Sequence, residues 1–209
     1  GIDADQYVVD RMFLPSAEMV KTYLHRYSNM SFQPWLGLIT LGKTIQEPDF
    51  IHYVVEHVER FVSMMFLSDG YWQEVTPSYH AQIASGLNNV LNALRGWSDP
   101  PGYVSPRTGK HFQDLDLTAQ FPVAGRAIEV GNHLAYGNGK ILPVMDAWAN
   151  ERVSRPTEGP VLLPGTKIGR LAGGEGADQF QVFLQFHPKY GHSHYDPLNL
   201  NLYAHRQEL

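Results

Sequence analysis

The stretch Tyr190-Gly191-His192-Ser193-His194-Tyr195-Asp196 leads through Pro197 into the alternating run Leu198-Asn199-Leu200-Asn201-Leu202-Tyr203. In an extended strand side chains repeat every second residue, so His192, His194 and Asp196 project together on the face that Leu198, Leu200 and Leu202 continue. Two imidazoles and a carboxylate are costly to bury without partners, and packing gives no reason for them beside a glycine. The stretch therefore reads as chemistry carried on a strand. Metallo-hydrolases also use a His-x-His-x-Asp run. There a further His usually follows the Asp and the chain turns into a helix, whereas here Pro197 and a period-two strand follow.

Working outward, Thr166 to Ala172 reads as a strand and Gly173-Gly174-Glu175-Gly176 as a turn. Phe180, Val182, Leu184 and Phe186 then alternate with Gln179, Gln181, Phe183 and Gln185. With Leu198 to Tyr203 this makes about three antiparallel strands, too few for a sheet with both edges open. The rest of the sheet is expected past Leu209, supplied by the remainder of the polypeptide or by a partner chain. Before the strands, 152–165 has the composition of a linker, with Pro156, Gly159, Pro160, Pro164 and Gly165.

Residues 1–151 read as helices. Ser16 after Pro15 suits an N-cap for Met19, Val20, Tyr23, Leu24 and Tyr27. A second helix follows Pro34 and stops near Gly42, which leaves Asn29 on a helix-to-helix loop, a common place for a capping Asn. Ile51, Val54, Val55, Val58, Phe61, Val62, Met65 and Phe66 follow the i, i+3, i+4, i+7 pattern. Thr76 as N-cap and Pro77 at the first helical position open a further helix with Ile83, Leu87, Val90, Leu91 and Leu94 on its inner face, closed by Gly96. Tyr79 then falls in the first turn, where free backbone N–H groups and the macrodipole favour a phenolate. The spacing fits an ordinary first-turn aromatic equally well. Residues 96–114 read as a long loop with a cationic tip of Arg107, Lys110 and His111. More helix is expected at about 116–135, broken at Pro122, and at about 142–151.

Composition narrows the function classes. The 209 residues, 43% of them hydrophobic, suffice for a sizeable core. With no Cys, any metal site must use His and carboxylate ligands. A net charge of -5 argues against general nucleic-acid binding. No apolar stretch approaches the ~20 residues of a membrane span. The chain opens at Gly1 without a Met or a signal segment and ends within a strand-like run, which reads as a fragment of a longer polypeptide.

Asp69-Gly70-Tyr71-x-x-Glu74-x-x-x-x-Tyr79-His80 in the helical part, with Gly191-His192-x-His194-x-Asp196-x-Leu198 in the strand part, resembles the heparinase II/III-like polysaccharide lyases, from about Tyr27 onward. The resemblance implies an α+β fold: the C-terminal part of an incomplete (α/α) toroid (1–151), then a linker and the first strands of an antiparallel β-sandwich (166–209). It also implies an acidic, uronate-containing polysaccharide as substrate and a periplasmic or secreted setting. By matching motifs, Tyr79 and His192 take the places of the catalytic tyrosine and histidine, and Asn29 that of the carboxylate-binding asparagine. His194 matches one ligand of a structural zinc whose other ligands would lie past Leu209; no organic cofactor is implied. Many members carry a His beside the Asn, where this chain has Met30.

Such lyases remove the C5 proton of a uronate and break the C4–O bond. The carboxylate must first be neutralised, by Asn29 or a nearby cation, so that charge can build up on it. Tyr79 and His192 would divide the base and acid roles, Tyr79 acting as a base only with a lowered pKa. Tyr71, Trp72, Glu74, His80 and Arg170 are the expected substrate-binding residues, aromatics stacking on sugar and Arg pairing with carboxylate or sulfate. The competing readings are a uronyl C5-epimerase, a zinc hydrolase using His192, His194 and Asp196, and a non-catalytic carbohydrate-binding fragment.

Overall fold

Helix α1 (Ala4–Val8) starts where the Asp3 carboxylate accepts the backbone N–H groups of Asp5 and Gln6. The computed structural model describes residues 3–23, 27–148, 150–186 and 198–209, so the His192, His194 and Asp196 stretch lies outside the described residues. The chain is α+β, helices followed by an antiparallel sheet, and divides into two compact units. One comprises Gly1–Met64 with Gly86–Phe121, the other Met65–Ser85 with Pro122–Leu209.

In the first unit, α1 continues through one π-helical turn, Val9–Phe13, into α2 (Leu14–Tyr23). Ser16 is therefore not a cap, and Pro15 lies inside the helix. The physical reason is the π turn directly before it. The Leu14 N–H reaches back to the Val9 carbonyl, and this wider turn makes room for a proline that has no N–H to donate and would crowd the Arg11 carbonyl. Helix α3 (Phe32–Ile45) follows, with Pro34 in its first turn and Gln46 closing it in the left-handed region. Helix α4 (Pro48–Met65) and helix α5 (Pro77–Leu94), of which the part from Gly86 on belongs to this unit, fall where the periodicity places them.

The core of this unit is aromatic. Tyr27, Phe32, Trp35 and Phe61 meet edge to face with centroids 5.2–6.1 Å apart, each such pair contributing on the order of 1 kcal/mol beyond its burial. Gly86 of α5 lets Phe32 in, since a Cβ there would overlap the Phe32 ring.

The 96–114 loop is built around a buried carboxylate. Asp99 accepts from the Trp97 indole (2.8 Å), the Phe112 N–H (2.6 Å) and His52 Nε2 of α4 (2.8 Å), and Phe112 stacks on His52 at 4.1 Å. Burial alone would raise the Asp99 pKa, but these hydrogen bonds outweigh it and hold the carboxyl below its ordinary range. The expected cationic tip is spent on α4. Lys110 pairs with Glu59 at 2.8 Å, Arg107 approaches Glu56 at 3.9 Å, and His111 bonds the Tyr103 carbonyl.

In the second unit, strands β1 (Val161–Leu163), β2 (Ile168–Gly173), β3 (Phe180–Gln185), β4 (Asn199–Ala204) and β5 (Gln207–Glu208) form a sequential antiparallel sheet. Among the described residues there are five strands rather than the expected three. Strand β1 lies within 152–165, and β5 follows a tight turn with positive φ at both His205 and Arg206, the geometry that matches strand twist. Among the described residues of 116–151, helix is confined to α6 (Val123–Gly131), which begins directly after Pro122. No helix forms at 142–148. Pro143 cannot continue one, Met145 takes a φ of 54°, and the Ile141 N–H goes to the Glu151 carbonyl at 3.1 Å. The apolar spacing there comes from a packed loop, with Leu142, Val144 and Met145 buried.

The sheet buries its polar-sequence face. Gln181, Phe183 and Gln185 of β3 are enclosed with Ile168, Arg170 and Tyr203, against Tyr71, Leu134 and Tyr136. The aliphatic face looks outward, with Leu171 at 69% and Leu200 at 57% exposure. Cross-strand rows such as Leu171, Val182 and Leu202 line it, around a shallow groove of about 460 Å³.

Candidate functional site

Thr76, Pro77, Ser78, Tyr79 and His80 form the start of α5, and their side chains part company there. The His80 N–H closes the first turn on the Thr76 carbonyl at 2.8 Å. The His80 imidazole turns into the core, where Nδ1 accepts the Trp72 N–H at 3.0 Å and Nε2 donates to the Ala127 carbonyl of α6 at 2.6 Å. Tyr71 stacks flat on it at 3.8 Å. With both ring nitrogens committed to backbone, the tautomer is fixed and the ring is neutral. Desolvation, outweighing the Ala127 hydrogen bond, lowers its pKa to about 4.

The segment before the helix is tied down as firmly. Trp72 is buried and its indole N–H donates to Glu74 at 2.9 Å. Asp69 caps its own turn at the Tyr71 N–H, and its other oxygen accepts from the Thr166 N–H (2.7 Å) and hydroxyl (2.9 Å) in the β1–β2 connection. Gly70, between them, has a φ of 87° and a Cβ would stand 3.2 Å from that of Arg126. The Asp-Gly-Tyr…Tyr-His motif is thus a bracket that fixes where α5 begins.

Tyr79 is what the bracket presents. It is half-buried, between the buried Ser78 and His80. Its ring meets the Trp148 indole edge-on at 6.2 Å. The Ser78 hydroxyl accepts the Trp148 N–H at 2.6 Å, so the side chain next to Tyr79 holds the loop that carries this indole.

Several residues expected to bind substrate have other work. Tyr71, Trp72 and His80 are core residues rather than cleft residues, Glu74 holds the Trp72 indole, and burial pushes the Tyr71 phenol well up. Arg170 is 2% exposed. Its guanidinium donates to the carbonyls of Gly159 (2.8 Å), His133 (3.1 Å) and Thr157 (2.5 Å) and to the Thr157 hydroxyl (2.8 Å). It staples the connection before β1 to the sheet, because β2 turns its Arg face inward and its Leu face out.

Asn29 belongs to the first unit. It sits half-buried on a compact turn in which the Ser28 N–H bonds the Ser31 hydroxyl (3.0 Å) and the Met30 N–H bonds the Ser28 hydroxyl (3.2 Å). Met30 is exposed. Two residues before Asn29, the Tyr27 hydroxyl lies 3.0 Å from His57 Nδ1. Desolvation lowers the His57 pKa and raises that of Tyr27, so a neutral phenol and a neutral imidazole share this hydrogen bond. His57 went unmarked in the sequence, hidden on the polar side of an otherwise regular helix.

His192 and His194 lie outside the described residues. Among the described residues no group of three His, Asp or Glu side chains is placed to hold a metal ion, and no described helix is long and apolar enough to cross a membrane.

The sequence matches no family model and no curated protein. Among solved structures the chain is similar to heparinase III, with a TM-score of 0.69 and 14% identity, covering 97% of this chain and 37% of that one. It is similar to a heparinase III with methylated lysines (TM-score 0.70, 13% identity, 98% and 34% covered). It is also similar to the heparan sulfate lyase HepC from Pedobacter heparinus (TM-score 0.67, 12% identity, 94% and 35% covered). These likenesses establish a shared fold. The chain spans about a third of the length of the solved proteins it matches.

Proposed function

We propose that this chain is part of a polysaccharide lyase that cleaves a uronate-containing polysaccharide by β-elimination. The observation that carries the reading is the presentation of Tyr79. In the first turn of α5 it is the half-open aromatic between two residues tied into the core, in a fold shared with heparinase III. In this reading Tyr79 exchanges protons at the C5 carbon or the leaving oxygen, His192 is its partner, and Asn29 donates to the uronate carboxylate. His80 and Trp72, with Glu74 on the Trp72 indole, fix the start of the helix that carries the phenol, Arg170 holds the connection before β1, and none of the four touches substrate.

His194 would contribute to a structural zinc. The described residues supply no ligand set for one, and no step of the reaction is routed through it. The outward aliphatic face of the sheet fits a partner surface from the remainder of the polypeptide or from another chain. A periplasmic or secreted setting follows from the same reading.

The test is the product. Incubating the intact protein with heparan sulfate, chondroitin, ulvan and alginate, a lyase generates an unsaturated uronate that absorbs in the near ultraviolet. An epimerase inverts C5 and gives no such absorbance, and a hydrolase cuts without forming a double bond. Chain shortening without near-ultraviolet absorbance would remove the proposal.

A further inference from the structure

An exposed indole by itself asks for no explanation. Trp148 is different in how much structure is devoted to holding it out. Of the four tryptophans, Trp35, Trp72 and Trp97 are buried, and Trp148 is 52% exposed. Its loop is anchored at the ring and just before it. The buried Ser78 hydroxyl takes the Trp148 N–H at 2.6 Å, and the Ala147 N–H bonds the Val144 carbonyl at 3.2 Å. Buried Met145, with a φ of 54°, bends the chain between them. A non-glycine residue in the left-handed region persists only where its surroundings enforce it. The result is an exposed indole on a fixed backbone, its centroid 6.2 Å from that of Tyr79.

We infer that Trp148 is a sugar-stacking platform that sets the substrate position beside Tyr79, taking the C–H face of a pyranose ring in an acidic oligosaccharide. This rests on the lyase reading of Tyr79 and extends it to a substrate-binding residue. An indole offers a broad, polarisable face at a low cost in conformational freedom. The separation of the two rings is shorter than a disaccharide, so a ring on Trp148 and the ring attacked at Tyr79 are the same sugar or adjacent ones. Such a platform reads shape and C–H surface rather than sulfate. It therefore contributes equally to sulfated and unsulfated uronates, and discrimination between them falls to other groups.

The test uses the intact protein carrying Tyr79→Phe, so that oligosaccharide binds without turning over, and two probes, a heparan sulfate tetrasaccharide and an alginate tetrasaccharide. Acrylamide quenching of tryptophan fluorescence is compared with the same protein carrying Trp148→Phe, and the difference isolates Trp148. Saturating tetrasaccharide is expected to shield the Trp148 signal. Trp148→Ala should raise the Kd for whichever tetrasaccharide binds roughly tenfold, and Trp148→Phe should recover much of that loss. With Tyr79 restored, Trp148→Ala should raise KM and leave kcat within about threefold, the split expected of uniform binding.

A tetrasaccharide that binds with Trp148 still fully quenchable, or with a Kd untouched by Trp148→Ala, overturns the inference and leaves the lyase reading standing. Failure of both tetrasaccharides to bind overturns the inference as well. Shielding of Trp148 in the Tyr79→Phe protein, with no unsaturated product formed when Tyr79 is restored, would instead remove the lyase reading and keep the platform.

Discussion

Tyr79 and His80 are neighbours in sequence with opposite fates. Both were legible as first-turn aromatics, because Thr76 and Pro77 mark the start of α5. Which of them enters the core was not, because the acceptor that claims His80 is the Ala127 carbonyl, 47 residues away. Arg170 shows the same limit. Its place on a strand was readable, but the side of the strand facing inward depends on what packs there. Trp148 was hidden for a related reason, since its loop carries helix-like apolar spacing. For His80 the consequence is measurable. Its folded pKa of about 4 lies below the ordinary ~6.5 of histidine. Between those values the unfolded chain binds the extra proton, so the stability this group contributes is complete above ~6.5 and is lost as pH falls toward 4, by at most ~3 kcal/mol. Urea midpoints measured from pH 7 to pH 5 should fall, and His80→Gln should flatten that fall; an unchanged slope would contradict the buried neutral assignment.

At the scale of elements, the long regular helices were readable because their apolar faces are continuous, as in α4. The places where reading failed are those where non-local bonds replace local grammar. Pro15 reads as a boundary, yet a π turn carries the helix past it. The 96–114 loop reads as a surface excursion, yet Asp99, His52, Trp97 and Phe112 make it a fixed part of the first unit. Asp99→Ala leaves a buried imidazole and two N–H donors without their acceptor, and should cost about 3–5 kcal/mol, the scale of a broken buried pair. Hydrogen exchange should accelerate first at residues 97–115, where protection depends on this carboxylate. Because the Asp99 pKa is depressed, its contribution is present above the ordinary carboxyl value of ~3.9 and disappears as pH falls through the lower folded value. Gly86→Ala in α5 drives a methyl group into the Phe32 ring. It should destabilise the protein by about 1–3 kcal/mol in thermal unfolding, in the range of overpacked cores, although alanine is the better helix former.

For the whole molecule, the order of helices first and sheet second was legible from the change in periodicity near residue 152, and the shared fold bears it out. Alternation alone could not show that the sheet turns Leu171, Leu184 and Leu200 outward and keeps Gln181 and Gln185 inside. A continuous aliphatic face of this kind drives association unless it is covered. The isolated 209-residue chain should therefore self-associate in a concentration-dependent way in analytical ultracentrifugation, and Leu171→Lys with Leu200→Lys should return it to a monomer; a monomeric parent would contradict this. The central claim is that a phenol fixed at the start of α5 moves the proton in a lyase. It is met most directly by near-ultraviolet absorbance in the intact protein with Tyr79 and with Tyr79→Phe, alongside the affinity of each for the same oligosaccharide. The account predicts that the parent forms unsaturated product and that Tyr79→Phe lowers the rate by at least ~100-fold, the scale of a lost acid–base group, with affinity nearly unchanged. Full turnover by Tyr79→Phe would contradict it.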